Sequence, residues 1–327
     1  MIGRRGLAGL GAAAAATLGA GLLLSPREEA VTASGALAFP NLAERLGQAA
    51  RVEIRRHDGG VTLSRDGEAW RIAERAGWPA RPAKLRETLT ALTELRLLEP
   101  RDASASFGTD DPMGPGATGA LLRVLDASGA PLVSLILGTR RSRTQPGVAD
   151  TIHIRRPEEA RGWLAEGRLT AEADPALWLL RDLVDLPTQR LRRVEVSRAG
   201  EETLVLERPG EVDAPLVIVA PPDPPRPDGV ALDEAGRVFE GLSLIEVRRE
   251  ADAPADALGE ARFTFTDNLA IQARGRRGEG EFWVTLRAEG DAEAARLNAL
   301  WNGYAFQIGQ WKERAMLPRL EDLLEQG

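Results

Sequence analysis

Arg51-Val52-Glu53-Ile54, followed by Arg56, recurs 142 positions later as Arg193-Val194-Glu195-Val196, followed by Arg198. Each stretch alternates charged and apolar residues, the period of a half-buried strand. A turn at Asp58-Gly59-Gly60 leads to Val61, Leu63 and Trp70-Arg71-Ile72; in the second copy Ala199-Gly200 leads to Leu204 and Leu206. Both read as hairpins. After a proline-containing loop, Leu85, Leu92 and Leu95 match Leu232, Phe239 and Leu242 at an offset of 147, which continues through Leu97, Leu98, Glu99 and Leu244, Ile245, Glu246. Spacing of i, i+7 and i+10 predicts helices over Leu85–Leu98 and Leu232–Ile245, each with one apolar face to cover a sheet.

Further strands are expected at Leu121–Leu125, Leu132–Leu137 and Thr151–Ile154, and at Arg262–Thr266, Leu269–Ala273 and Phe282–Leu286. Each half then closes on a helical stretch, with Leu177, Leu180, Asp182 and Leu183 answering Leu317, Leu320, Asp322 and Leu323 at an offset of 140. The expected fold is α+β, two tandem copies of a β-β-α-β-β-β-α unit spanning residues 39–185 and 186–327.

Ahead of them, residues 1–38 read as an anchor and spacer. Arg4 and Arg5 precede an uncharged Ala/Gly/Leu run from Gly6 to Leu24, and Arg27, Glu28 and Glu29 follow Ser25-Pro26. Nineteen helical residues reach about 28 Å, enough to span a bilayer, and the leading arginines favour a cytoplasmic N-terminus with the rest of the chain outside. The competing reading is a cleaved signal peptide, for which Ala30-Val31-Thr32-Ala33 offers a small-residue site. Arg4-Arg5 also fits the start of a twin-arginine signal, a weak motif.

The 327 residues carry a formal net charge of -7, which argues against nucleic acid as a partner, and no cysteine, which removes disulfides and thiolate chemistry. Lysine occurs only at Lys84 and Lys312 against a large excess of arginine, a bias expected of a GC-rich bacterial genome. His57, at a hairpin tip, and His153, in an alternating strand, lack metal-ligand spacing, so no metal is expected. Gly114-Pro115-Gly116-Ala117-Thr118-Gly119 matches G-x-G-x-x-G in letters, but a strand rather than a helix follows, and no cofactor is expected. No nucleophile elbow appears, and the chain reads as non-enzymatic. Trp70, Trp178 and Trp283 sit among apolar neighbours, as core residues do. One feature recurs in both halves: Arg140, Arg141 and Arg143, and Arg274, Arg276 and Arg277, are expected on loops after matching strands. Clustered guanidinium groups there could hold phosphate or carboxylate groups, although solvated loop charges account for them more simply.

The chain resembles the domain-of-unknown-function 4340 family of membrane-anchored bacterial proteins. The resemblance rests on Phe39, Arg51–Ile54, Trp70-Arg71-Ile72, the Leu85–Leu98 segment, Phe107-Gly108, Leu121–Leu125, Leu135–Gly138 and Thr151–Ile154. Two details depart from its pattern: His153 stands in the neighbourhood of an expected tyrosine, and the Phe-Gly-Leu-x-x-Pro segment is altered to Phe107-Gly108-Thr109-Asp110-Asp111-Pro112. The resemblance implies an accessory component of an ABC-type transport system, single-pass in the bacterial inner membrane with its globular part in the periplasm. It supplies no catalytic residues. The alternative reading is an extracytoplasmic binding module for an anionic lipid or envelope polymer.

Overall fold

The computed structural model describes residues 34–142, 149–210 and 214–325. The Gly6–Leu24 run and Arg143 lie outside them. Among the described residues no helix is long and apolar enough to cross a membrane.

The fold is α+β, dominated by antiparallel sheets. After the short helix α1 (Leu42–Arg45) come β1 (Ala49–Arg56), β2 (Gly59–Asp66), β3 (Ala69–Ile72), β4 (Trp78–Pro79), α2 (Pro82–Glu94), β5 (Arg96–Asp102), β6 (Ala120–Asp126), β7 (Pro131–Arg141), β8 (Thr151–Arg155) and β9 (Arg161–Glu166). These strands form one sheet in the order β4-β3-β2-β1-β6-β7-β8-β9-β5. The short β10 (Asp182–Val184) precedes β11 (Leu191–Ser197), β12 (Leu204–Glu207), β13 (Val217–Ala220), α3 (Gly229–Gly236), β14 (Leu242–Ser243), β15 (Glu246–Arg249), β16 (Asp256–Phe265), β17 (Ala270–Arg277), β18 (Phe282–Glu289), α4 (Ala292–Trp301), β19 (Tyr304–Ile308) and α5 (Lys312–Met316). The second sheet has the order β13-β12-β11-β16-β17-β18-β19-β15, and β10 pairs with β14.

Alternation sets the two faces of each sheet. Val52 and Ile54 in β1, and Val194 and Val196 in β11, are buried, while their charged neighbours face outward. The register agrees between sheets in detail: β1 pairs Val52 with Val124 and Ile54 with Leu122, and β11 pairs Val194 with Phe263 and Val196 with Ala261. A register shift falls between Ala49 and Arg51 in the first pair and between Leu191 and Arg193 in the second. The segments flanking each sheet also correspond. Leu97 N–H donates to Ala36 O (2.8 Å) and Leu244 N–H to Arg181 O (2.9 Å); Arg81 N–H donates to Trp178 O (2.7 Å) and Asp228 N–H to Leu323 O (2.8 Å).

Several sequence expectations require correction. The element order is not β-β-α-β-β-β-α, because the first sheet gains β3 and β4 after its hairpin and the second gains β13, and each gains two more strands at its far margin. The helices are shorter than the apolar spacing suggested. Leu95 ends α2 in an extended conformation and Arg96 begins the pairing of β5 with β9, while α3 stops at Gly236. The apolar residues beyond them stay buried, Leu95, Phe239 and Leu242 among them, but through turns and strands. The closing stretches are 3-10 turns, Pro175–Trp178 and Leu320–Leu323, the second preceded by α5. Leu180 N–H donates to Pro79 O (3.0 Å) and Glu325 N–H to Arg226 O (2.9 Å), contacts that do not follow the expected offset of 140.

One contiguous apolar core runs through both halves. Trp78 is the joint: fully buried, it packs edge-on against Tyr304 (5.0 Å between centroids) and Phe306 (5.2 Å) and donates its indole N–H to Leu180 O (2.8 Å). Trp178 and Trp283 are also fully buried, and Trp70 is half-buried against the core.

Candidate functional site

Of the arginines expected on loops, the five described residues lie on strands. Arg140 and Arg141 end β7, and Arg274, Arg276 and Arg277 belong to β17, which runs four residues past the expected end of its strand. Strand extension follows from pairing: β17 stays in register with β18 from Ala270↔Glu289 to Arg277↔Phe282. The two arginine groups therefore stand on different sheets and do not form one surface.

Most of these guanidinium groups already have partners. Arg140 pairs with Asp150 (2.6 Å), Arg274 with Glu260 (3.3 Å) and Arg277 with Glu313 (2.6 Å), and Arg276 donates to Pro254 O (3.1 Å). The same pattern covers the solvent faces of both sheets. Cross-strand pairs join Arg123 to Glu53 (3.3 Å), Arg193 to Glu207 (2.7 Å) and Arg262 to Glu289 (2.7 Å). Arg262 holds the Glu289 carboxyl below its ordinary range, chiefly by their hydrogen bond. Exposed pairs of this kind contribute less than about 1 kcal/mol each, but they neutralise most of the arginines named here.

Arg274 also lines a pocket of about 220 Å³, together with Gln272, Thr285, Arg287, Trp301 and Asn302. Two of these are sites that sequence reading missed. Arg287 lies on β18, the partner strand of β17, and Trp301 ends α4, a helix with no counterpart in the expected unit. Its signal was present: Asp291 as N-cap, then Ala294, Leu297 and Trp301 at helical spacing, all three buried. A larger cleft of about 740 Å³ holds the exposed Trp311 with Arg198, Arg277, Arg314 and Arg319, but Glu234, Glu313, Glu321 and Asp322 balance their charge.

Neither histidine is part of a shared centre. His57 is exposed at the turn into β2, whereas His153 is on β8, three strand spacings from β1, roughly 14 Å at ~4.8 Å per strand. His153 is 6% exposed and stacks on Phe107 at 4.1 Å between ring centroids, with Nδ1 enclosed and without an acceptor or donor partner among the described residues. Burial, then Arg141 and Arg101, pushes its pKa below the ordinary 6.5. The unfolded chain then binds more protons between the native pKa and 6.5, so this group's stabilising contribution is complete above pH 6.5 and is lost as pH falls through the native value. Replacing His153 with Phe keeps the stack and removes the titration. Urea midpoints are expected to favour the variant increasingly from pH 7 to pH 5, by no more than about 1.4 kcal/mol per pH unit. Parallel curves for the two proteins would contradict this assignment.

The Gly114–Gly119 segment has a structural explanation. It leads into β6, and Gly119 lies against the loop carrying Phe107-Gly108: a Cβ there would sit 3.2 Å from Gly108 C and from Leu137 O and nearer still to Gly108 O. Arg155 ties the same loop down through Thr109 O (2.5 Å) and Asp110 O (2.5 Å). The altered Phe107–Pro112 segment is thus docked against β7 and β8.

Fold and surface together define an α+β protein of two large antiparallel sheets joined by one core, with ion-paired solvent faces. The family described as domain of unknown function (DUF4340) matches residues 70–273, more than half of the chain, and the protein belongs to it. Comparison with curated proteins and with solved structures finds no match.

Proposed function

We propose that this protein is a non-enzymatic scaffold, built from two tandem copies of one antiparallel unit and tethered outside the bacterial inner membrane as an accessory of an ABC-type transport system. The observation that carries the duplication is the shared strand order, with β4 as an addition to the first sheet and α4 to the second. The matched register shifts and flanking hydrogen bonds support it independently. On this reading the second copy opens at β10, whose pairing with β14 answers the bridge between Leu37 and Arg96, and the boundary moves from residue 185 to about Arg181.

A scaffold needs a surface for a partner rather than a reaction centre. β13 ends its sheet with one edge unpaired among the described residues and carries the exposed Val217 and Val219. Strand addition at such an edge combines backbone hydrogen bonds with apolar contacts. The full-length chain, purified in mild detergent, should carry transporter subunits in fixed stoichiometry, and Val219→Lys should reduce their recovery several-fold without unfolding the chain. Full-length protein that purifies alone, or recovery unchanged by Val219→Lys, would refute the scaffold or the edge respectively.

A second reading, binding of an anionic lipid or envelope polymer, is favoured by one observation: Arg274 lines a pocket that also contains Arg287, which has no ion pair among the described residues.

A further inference from the structure

We propose that the pocket between α4 and the solvent face of β17 and β18 is a binding site for a phosphate group. This deepens the anionic-ligand reading and is independent of the scaffold. The site is built by α4, which has no counterpart in the first half, where β8 and β9 are joined by the turn Arg156–Ala160. Three contacts hold the helix in place. The Asn298 side chain accepts from Ala288 N–H (2.9 Å) and donates to Ala288 O (2.7 Å), capping the edge of β18 where β19 no longer pairs. Arg190 joins Glu293 (2.6 Å) on the first turn to Asp267 (2.7 Å). Ala294, Leu297 and Trp301 are buried in the core.

The lining is rich in donors. Trp301 is fully buried, yet its indole N–H has no acceptor among the described residues. A buried unpaired donor is costly, and the Trp301 side chain that carries it is one of the residues lining the cavity. Arg274 and Arg287 flank the same space: β17 and β18 set Arg274 opposite Thr285 and Gln272 opposite Arg287, so the two arginines are diagonal neighbours on one face. Arg274 uses Nε toward Glu260, which leaves its terminal nitrogens free of that bond. Thr285 and Asn302 add neutral donors, against Glu250 as the one carboxylate of the lining. Phosphate offers enough oxygens to accept from two guanidinium groups and an indole N–H together, whereas a carboxylate has only two. About 220 Å³ admits such a group with accompanying water.

The full-length chain in detergent, titrated with inorganic phosphate by calorimetry, should bind it. The indole N–H resonance of Trp301, assigned by its loss in Trp301→Phe, should move downfield during the titration. Arg287→Gln should weaken affinity about ten-fold or more while leaving thermal stability unchanged. Vesicles containing phosphatidic acid separate the two sources of the group: competition between vesicles and inorganic phosphate identifies a lipid headgroup, and phosphate binding without vesicle binding identifies a free anion. Absence of phosphate binding at millimolar concentration, or binding indifferent to both Arg287→Gln and Trp301→Phe, would overturn the proposal. Recovery of transporter subunits with Arg287→Gln should equal that of the unaltered chain, so failure of this site and failure of the scaffold give different results.

Discussion

Gly138→Ala is expected to destabilise the protein by about 3 kcal/mol or more, at the upper end of what overpacking costs. The reason is local and backbone-bound. A Cβ on Gly138 would sit 3.0 Å from the carbonyl carbon of Phe107 and closer still to its oxygen, and Thr109 Cγ2 is also 3.0 Å away. A flexible side chain could turn aside, but the Phe107 carbonyl is held from several directions. Thr139 donates its hydroxyl to that oxygen (3.0 Å), the Phe107 ring stacks on His153, and Arg155 donates to the Thr109 and Asp110 carbonyls. The loop must therefore lift from β7 and β8 as a unit. Denaturant midpoints measure the loss, and proteolysis within residues 104–118 should accelerate in parallel. A variant within 1 kcal/mol of the unaltered protein, with the loop still protected, would show that this docking is looser than described.

Trp78→Ala is expected to cost about 3–5 kcal/mol, as removal of a fully buried aromatic ring from a packed core does. Its particular consequence concerns cooperativity. Trp78 belongs to the first half and touches Tyr304 and Phe306 of the second, beside the Arg75–Glu246 ion pair (2.7 Å) and the Tyr304 hydroxyl bond to Ala76 O (3.3 Å). Losing the ring removes the main apolar contact of this junction and leaves polar ones exposed to water. Urea unfolding followed by circular dichroism and by tryptophan fluorescence should coincide for the unaltered chain and separate for Trp78→Ala. Trp78→Phe retains most of the packing and loses the bond to Leu180 O, so about 1 kcal/mol is expected. Equal effects of the two substitutions would place the weight on the hydrogen bond and not on the ring.

Strand periodicity was legible in β1 and β11, where a period of two leaves only one arrangement of Val52, Ile54, Val194 and Val196 that keeps charge in water. The sequence also carried Arg51–Ile54 and its recurrence, the turns, the buried tryptophans and the resemblance to the family. It did not carry the ends of the helices. Leu95 and Leu97 satisfy a helical stripe and a strand equally well, and only pairing of Arg96–Asp102 with β9 decides that the chain extends there.

The arginines illustrate the same division. From composition they are six positive charges following two strands; tertiary structure supplies Asp150, Glu260 and Glu313 from other strands and segments and ties three of the six, Arg140, Arg274 and Arg277, into ion pairs. The pocket was hidden for the converse reason. Arg274, Arg287 and Trp301 are far from any motif spacing, and they share a cavity only because antiparallel register and the placement of α4 bring them together. Local alternation and turn chemistry depend on neighbours in the chain and can be read from it. Which charge meets which, where a helix yields to a strand, and which donor is left without an acceptor depend on neighbours in space.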